Sequence, residues 1–152
     1  MLKLDLGVVN FTKGSVKKST IEKSIFNTLK TLGVKGDIEI SLAVVGDTRM
    51  RTLNRSFRKK DKSTDVLSFG FEEALNKPKK LGESVTNMGE IVISLPYAKR
   101  QAKKAGKSID RELALLSSHG TIHLFGMDHE RSEKEDKKTE EIQNKVLNSL
   151  FK

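Results

Sequence analysis

The chain has 152 residues, 36% apolar and 32% charged, which suits one ordinary domain able to bury roughly 70% of its unfolded surface and excludes a disorder-like chain. It contains no cysteine, excluding disulfides and thiolate metal sites, and no run nears the ~20 apolar residues of a membrane span. Lysine and arginine number 29 against 20 acids, a net charge of +9, the balance of a polyanion binder.

The stretch LKLDLGV alternates apolar and polar residues and predicts a first strand. Ser15 is placed to cap a helix to about Leu32, with Val16, Ile21, Ile25 and Leu29 near one face and Gly33 as its stop. In IEISLAVVG, Ile38, Ile40, Leu42 and Val44 share a face, while Ala43 and Val45 make the other apolar too, so this strand is central. Asp47 is read as the cap of a helix through Met50, Leu53 and Phe57. TDVLSFGF predicts a third strand, a polar loop runs from Asn76 to Gly82, and GEIVIS is a fourth strand. Ser94 opens a helix with Pro96 in its first turn, an apolar stripe of Leu95, Ala98, Ala102 and Ala105, and Gly106 at its end. Ser108 caps the next helix, which is apolar almost throughout and therefore buried, and Gly126 stops it. Ser132 and Glu135 form a capping box for a last amphipathic helix through Ile142, Val146, Leu147 and Leu150. The order βαβαββααα over residues 1–152 predicts a single α+β domain, with about five helices packed on a mixed sheet of about four strands.

The positive charge is concentrated in two segments. Seven basic residues lie between Arg49 and Lys62 against one acid, and six between Lys99 and Arg111 against one acid. Arg55, Arg58, Lys59, Lys60, Lys99, Arg100, Lys103 and Lys104 are therefore the candidate RNA-binding residues. With one tyrosine, no tryptophan and seven phenylalanines, few exposed stacking platforms are expected.

All three histidines fall within HGTIHLFGMDH, at positions 119, 123 and 129. His119 and His123 stand four apart on the buried helix, so both leave the same face and can reach one cation. Gly126 can turn the chain back to present His129 as a third ligand. Three neutral nitrogens plus an open position make a catalytic rather than a structural zinc site, although imidazole also suits nickel, copper and iron. Asp128, beside the third histidine, could accept a ligand's N–H or handle a proton. The spacing matches the extended zincin peptidase pattern, but Gly120 stands where those enzymes carry the glutamate base. A zinc peptidase without that carboxylate lacks its proton shuttle.

HGTIHLFGMDH resembles the H-G-x-L-H-L-x-G-Y-D-H signature of the YbeY family of rRNA-maturation endoribonucleases. LNRSFRKKDKSTDVLSF (Leu53 to Phe69) is similar to that family's N-x-x-[YF]-R-x-x-D-x-P-T-D-V-L-S-F, and GEIVIS with the basic helix AKRQAKKAG agrees as well. Three positions depart: Ser63 replaces proline, Ile122 leucine and Met127 an aromatic residue. Ser63 is expected to loosen the loop before Thr64.

The resemblance implies that His119, His123 and His129 bind one zinc ion and that Arg58 serves RNA cleavage, gripping a phosphate through its guanidinium. It also implies a cytoplasmic, single-strand-specific endoribonuclease acting on the small ribosomal subunit, in 16S rRNA 3′-end maturation and ribosome quality control. No small-molecule cofactor and no membrane partner are expected. Thr64 and Asp65 are expected to position the strand end beside the metal. The general base stays open between Asp128, a zinc-bound hydroxide and the RNA 2′-hydroxyl. The other readings are a metzincin-like zinc hydrolase and a non-catalytic, zinc-stabilised ribosome-assembly factor.

Overall fold

The computed structural model describes residues 1–70, 85–126 and 133–151. The elements run β1 (Leu2–Asn10), α1 (Lys18–Thr31), β2 (Gly36–Val45), α2 (Asp47–Arg58), β3 (Val66–Gly70), β4 (Val85–Ser94), α3 (Leu95–Ala105), α4 (Ile109–Leu124) and α5 (Glu133–Leu150). The strands form one sheet in the order β1-β2-β4-β3. β1 and β4 flank β2 in parallel, and β3 pairs antiparallel with β4. The α+β class, the mixed sheet and the central place of β2 are as the apolar pattern indicated.

Alternation along β2 assigns its side chains to two cores. Ile38, Ile40, Leu42 and Val44 face α1 and α4, joining Ile21, Ile25 and Leu29 of α1 and Leu113 and Leu116 of α4. Val45 faces the other way, into a smaller cluster with Met50 of α2, Leu67 and Val92. Each fully buried Ile or Leu contributes about 1.5–3 kcal/mol, so the larger cluster dominates the fold and α4 is its main helix. Buried hydroxyls join α1 to α4: Ser24 Oγ donates to the Ala114 carbonyl at 2.6 Å, and the Thr28 and Ser118 hydroxyls are 2.7 Å apart.

Four local expectations differ from the structure. α1 starts at Lys18, not after Ser15; Val16 packs instead against the core containing Ile21, as a hydrophobic staple does. Gly46, not Asp47, caps α2, leaving the Asp47 carboxylate for other partners. Phe57 does not belong to the buried stripe of α2 and is 64% exposed, meeting Phe69 edge-on with centroids 5.0 Å apart. β4 begins at Val85, before the glycine where the pattern started it. Gly89 sits inside the strand at φ 130°, beside a register shift that leaves Met88 unmatched. A Cβ there would strike the Phe69 carbonyl, so the glycine makes a bulge and not a turn.

The other helix ends follow their capping residues. Ser94 and Ser108 accept from the Tyr97 and Arg111 amides at 3.3 and 3.1 Å, and Gly106 takes φ 66° at its cap. The Asn76–Gly82 loop and Ser132 lie outside the described residues. Among the described residues no helix is long and apolar enough to cross a membrane.

Candidate metal centre and its cleft

Beyond its first two residues α4 is buried except along one stripe, formed by Arg111, Leu115, His119 and His123. Their four-residue spacing places them on one side of the helix, the side turned away from the sheet. The opposite side is held tightly: a Cβ on Gly120 would come 2.9 Å from Ile91 Cγ2 and 3.2 Å from Ser68 Oγ. Ser68 also donates to the Gly120 carbonyl at 3.1 Å. Position 120 therefore admits no side chain, and a glutamate placed there would point into the sheet.

His119 and His123 converge. Their Nε2 atoms are 3.0 Å apart, with ring centroids at 4.5 Å and planes tilted by 52°. Two nitrogens bound to one tetrahedral zinc at about 2.0–2.1 Å would stand roughly 3.3 Å apart. The donor set and its geometry fit a transition-metal ion. His119 Nδ1, the other ring nitrogen, lies 2.6 Å from the side-chain amide of Gln143 on α5. α4 ends at Phe125, and Gly126 adopts φ 101°, the sharp stop read from the sequence. His129 and Asp128 lie beyond it, outside the described residues, and among the described residues no three ligand-type side chains gather.

A cleft of roughly 800 Å³ opens from His119 toward α3, lined by Asp65, Tyr97, Arg100, Gln101, Lys104, Glu112 and Gln143. Arg100 is fixed rather than free. Its guanidinium lies 5.1 Å from the Tyr97 ring centroid and donates to both Asp47 oxygens, at 2.8 and 3.1 Å. Asp47 also accepts from Ser63 and Ser94 at 2.8 and 3.0 Å. The Arg100 hydrogen bonds, partly opposed by burial, lower its pKa to about 2. On the facing wall Asp65 accepts from the Val66 amide at 2.7 Å and from Gln101 at 3.3 Å. Glu112 lies beside it. Burial, then the Asp65 charge, push the Glu112 carboxyl above its ordinary range.

The family model described as Endoribonuclease YbeY matches residues 9–151. The chain belongs to the YbeY family. An Endoribonuclease YbeY from Aquifex aeolicus is 41% identical over 145 residues, spanning 95% of this chain and 91% of the relative. Another of that name, from Bacillus cereus, is 35% identical over 134 residues, with 87% and 85% covered. The solution structure of a Thermotoga maritima protein matches with a TM-score of 0.59 at 28% identity, covering 97% of this chain and 87% of that one.

Within this YbeY chain the motif residues separate by position. Asn54 is buried and donates to the Lys62 carbonyl at 2.8 Å, tying down the loop after α2. Ser63, where the motif it resembles has proline, donates through its hydroxyl to Asp47 at 2.8 Å. Asp65 reaches the cleft beside His119, and Thr64 Oγ1 donates to Asp65 at 3.4 Å. Arg58 ends α2, exposed, and is not among the residues lining the cleft. Arg55 lies 3.7 Å from Asp61, Lys59 forms the left-handed cap, and Lys60 is exposed. Of the candidate cations on α3, Arg100 and Lys104 line the cleft, while Lys99 and Lys103 are exposed elsewhere on the helix. Two exposed phenylalanine rings stand among the described residues, Phe57 and Phe11, the latter 60% exposed beneath the Arg49 guanidinium. Tyr97, Glu112 and Gln143 were not singled out from sequence. Each reaches the cleft from a helix whose local pattern explains it by packing or solubility.

Proposed function

We propose that this YbeY chain is a zinc-dependent endoribonuclease that cuts single-stranded RNA, in 16S rRNA 3′-end maturation and ribosome quality control, on the small ribosomal subunit in the cytoplasm. The observation that carries the reading is the convergence of His119 and His123 Nε2, 3.0 Å apart, beside a cleft walled by Arg100 and Lys104. Family membership supplies the reaction class, since its named relatives are endoribonucleases.

His119, His123 and His129 would hold the ion. A zinc ion held there would supply Lewis acidity toward a phosphoryl oxygen and toward water. The protein does the rest by placement. Lys104 and Arg100 attract the RNA backbone along one wall, and the acidic wall of Asp65 and Glu112 repels it, so the strand is steered to the cationic side. Asp47 holds two N–H groups of Arg100, orienting the guanidinium before RNA arrives and leaving less ordering entropy to lose on binding. Arg58, exposed at the end of α2, would grip a phosphate of the bound RNA and offset charge on its oxygens. Asp128 takes or returns a proton.

The test uses purified chain, zinc and an unstructured RNA oligonucleotide. His123→Ala and Arg58→Ala should each lower the cleavage rate by about 10²–10³-fold, and a chelator should stop the wild type. Equal nicking by all three proteins would trace the activity to a contaminant and remove the reading.

A further inference from the structure

Both ring nitrogens of His119 lie within hydrogen-bond distance of a side chain. Nε2 faces His123, and Nδ1 faces the Gln143 amide across 2.6 Å. The amide stands with its nitrogen nearer the ring. Its oxygen and nitrogen exchange places on a 180° turn without a change of shape, so proton chemistry decides which one meets the ring.

A neutral imidazole that offers its Nε2 lone pair to a cation carries its single proton on Nδ1. That N–H then needs an acceptor, and of the two ends of the amide only Oε1 can accept. We propose that Gln143 is the positioning residue of the metal centre: its carboxamide oxygen accepts the His119 Nδ1–H, selecting the ligating tautomer and fixing the ring's tilt toward His123. The inference rests on the reading of His119 as a metal ligand.

The packing of α5 suits this role. Ile142, Val146 and Leu147 are buried against the core, and Gln143, half-buried, stands at the edge of that face next to α4. A side chain flanked by buried neighbours has lost part of its rotamer freedom already, so holding the ring costs little more entropy. Ligand-orienting partners of this kind typically change metal affinity by 10–100-fold when removed.

Zinc affinity of the full chain, measured by competition with a chromophoric chelator, separates the alternatives. Gln143→Glu keeps an acceptor at nearly the same reach and has no donor. Gln143→Met keeps the length and has neither. Gln143→Glu should bind zinc within about threefold of wild type or more tightly, and Gln143→Met about 10–100-fold more weakly. The metal-free melting temperature of Gln143→Met should stay within about 2 °C of wild type, as expected for a change that leaves the core intact. Wild-type affinity in Gln143→Met overturns the inference. Equal loss in both variants does so too, because the amide nitrogen would then be the group that matters. If Gln143→Met fails to fold, a large loss of affinity in Gln143→Glu is sufficient to reject it. Gln143 can prove irrelevant while the wild type still binds zinc and cuts RNA, which leaves the nuclease reading standing. A wild type that binds no zinc ends both.

Discussion

The two basic segments look alike as strings of residues and differ as surfaces. The first ends α2 and turns outward. Its Arg51 donates to Asp61 at 2.9 and 3.1 Å, Arg55 lies 3.7 Å from the same carboxylate, and Lys59 and Lys60 face solvent. Cations at a helix C-terminus also meet the negative end of its dipole, which is reason enough for some of them to be there. The second segment wraps α3, whose buried stripe of Leu95, Ala98 and Ala102 fixes the helix's rotation. Arg100 and Lys104 are thereby turned into the cleft beside His119. Net charge counts both segments equally, but the rotation of a helix decides which cations share a space with the candidate metal ligands.

The most direct way to break this comparison uses neighbouring lysines. Lys104 lines the cleft and Lys103, on the same helix, does not. Lys104→Glu should weaken binding of a single-stranded RNA by about tenfold at moderate salt, against about threefold for Lys103→Glu or Lys60→Glu, with a shallower salt dependence in each. Titrations at several salt concentrations read both quantities. Equal losses in all three variants would mean that the RNA responds to total charge, and the cleft would lose its special status.

A smaller effect is expected from the residue that joins the two segments. Asp47, in the first turn of α2, accepts from Arg100 of α3 and from Ser63 and Ser94. Asp47→Asn keeps the shape and loses the charge, and should cost about 1 kcal/mol at neutral pH. Its folded pKa of about 2 lies below the ordinary 3.8. The stabilisation is therefore complete above pH 3.8 and is lost as the pH falls through about 2. Thermal melts of wild type and variant should accordingly converge at the acid end. A constant gap down to pH 2 would show that the cost of the substitution does not come from the lost charge.

How much of this was legible depended on whether the cause was local. His119 and His123 declared themselves because helical spacing alone sets which side chains share a face. The sheet was legible because alternation along β2 follows from the pleat. The start of β4 was read too late, at Gly89, because the bulge that leaves Met88 unmatched depends on strand pairing and not on local pattern. Phe57 misled because helical period marks it as apolar-face, yet it stays largely exposed with Phe69 edge-on beside it. Gln143 was silent. It lies on a different helix from His119, and no local pattern distinguishes an amide that meets an imidazole from one that meets water. Asp47 was noticed for the wrong reason, since capping is a local rule and its actual partners, Arg100 and Ser94, are not sequence neighbours.

The smallest expected effect comes from the cleft's acidic wall, where the sign is opposite to that of Asp47. Glu112 is 9% exposed and has its pKa raised, first by burial and then by the Asp65 charge. For a raised carboxyl the stability contribution is full below the ordinary value of 4.5 and is lost as the pH rises through the folded value. As the pH rises toward neutrality Glu112 therefore works increasingly against the fold. Glu112→Gln should raise the melting temperature by about 1–2 °C at pH 7–8, and that gain should shrink to nothing below pH 4.5. The same change removes a negative charge from the cleft, so RNA affinity should rise a little, and more at low salt than at high. A fall in affinity would mean that Glu112 touches the RNA as an acceptor instead of repelling it, and the division of the cleft into an attracting and a repelling wall would have to be redrawn.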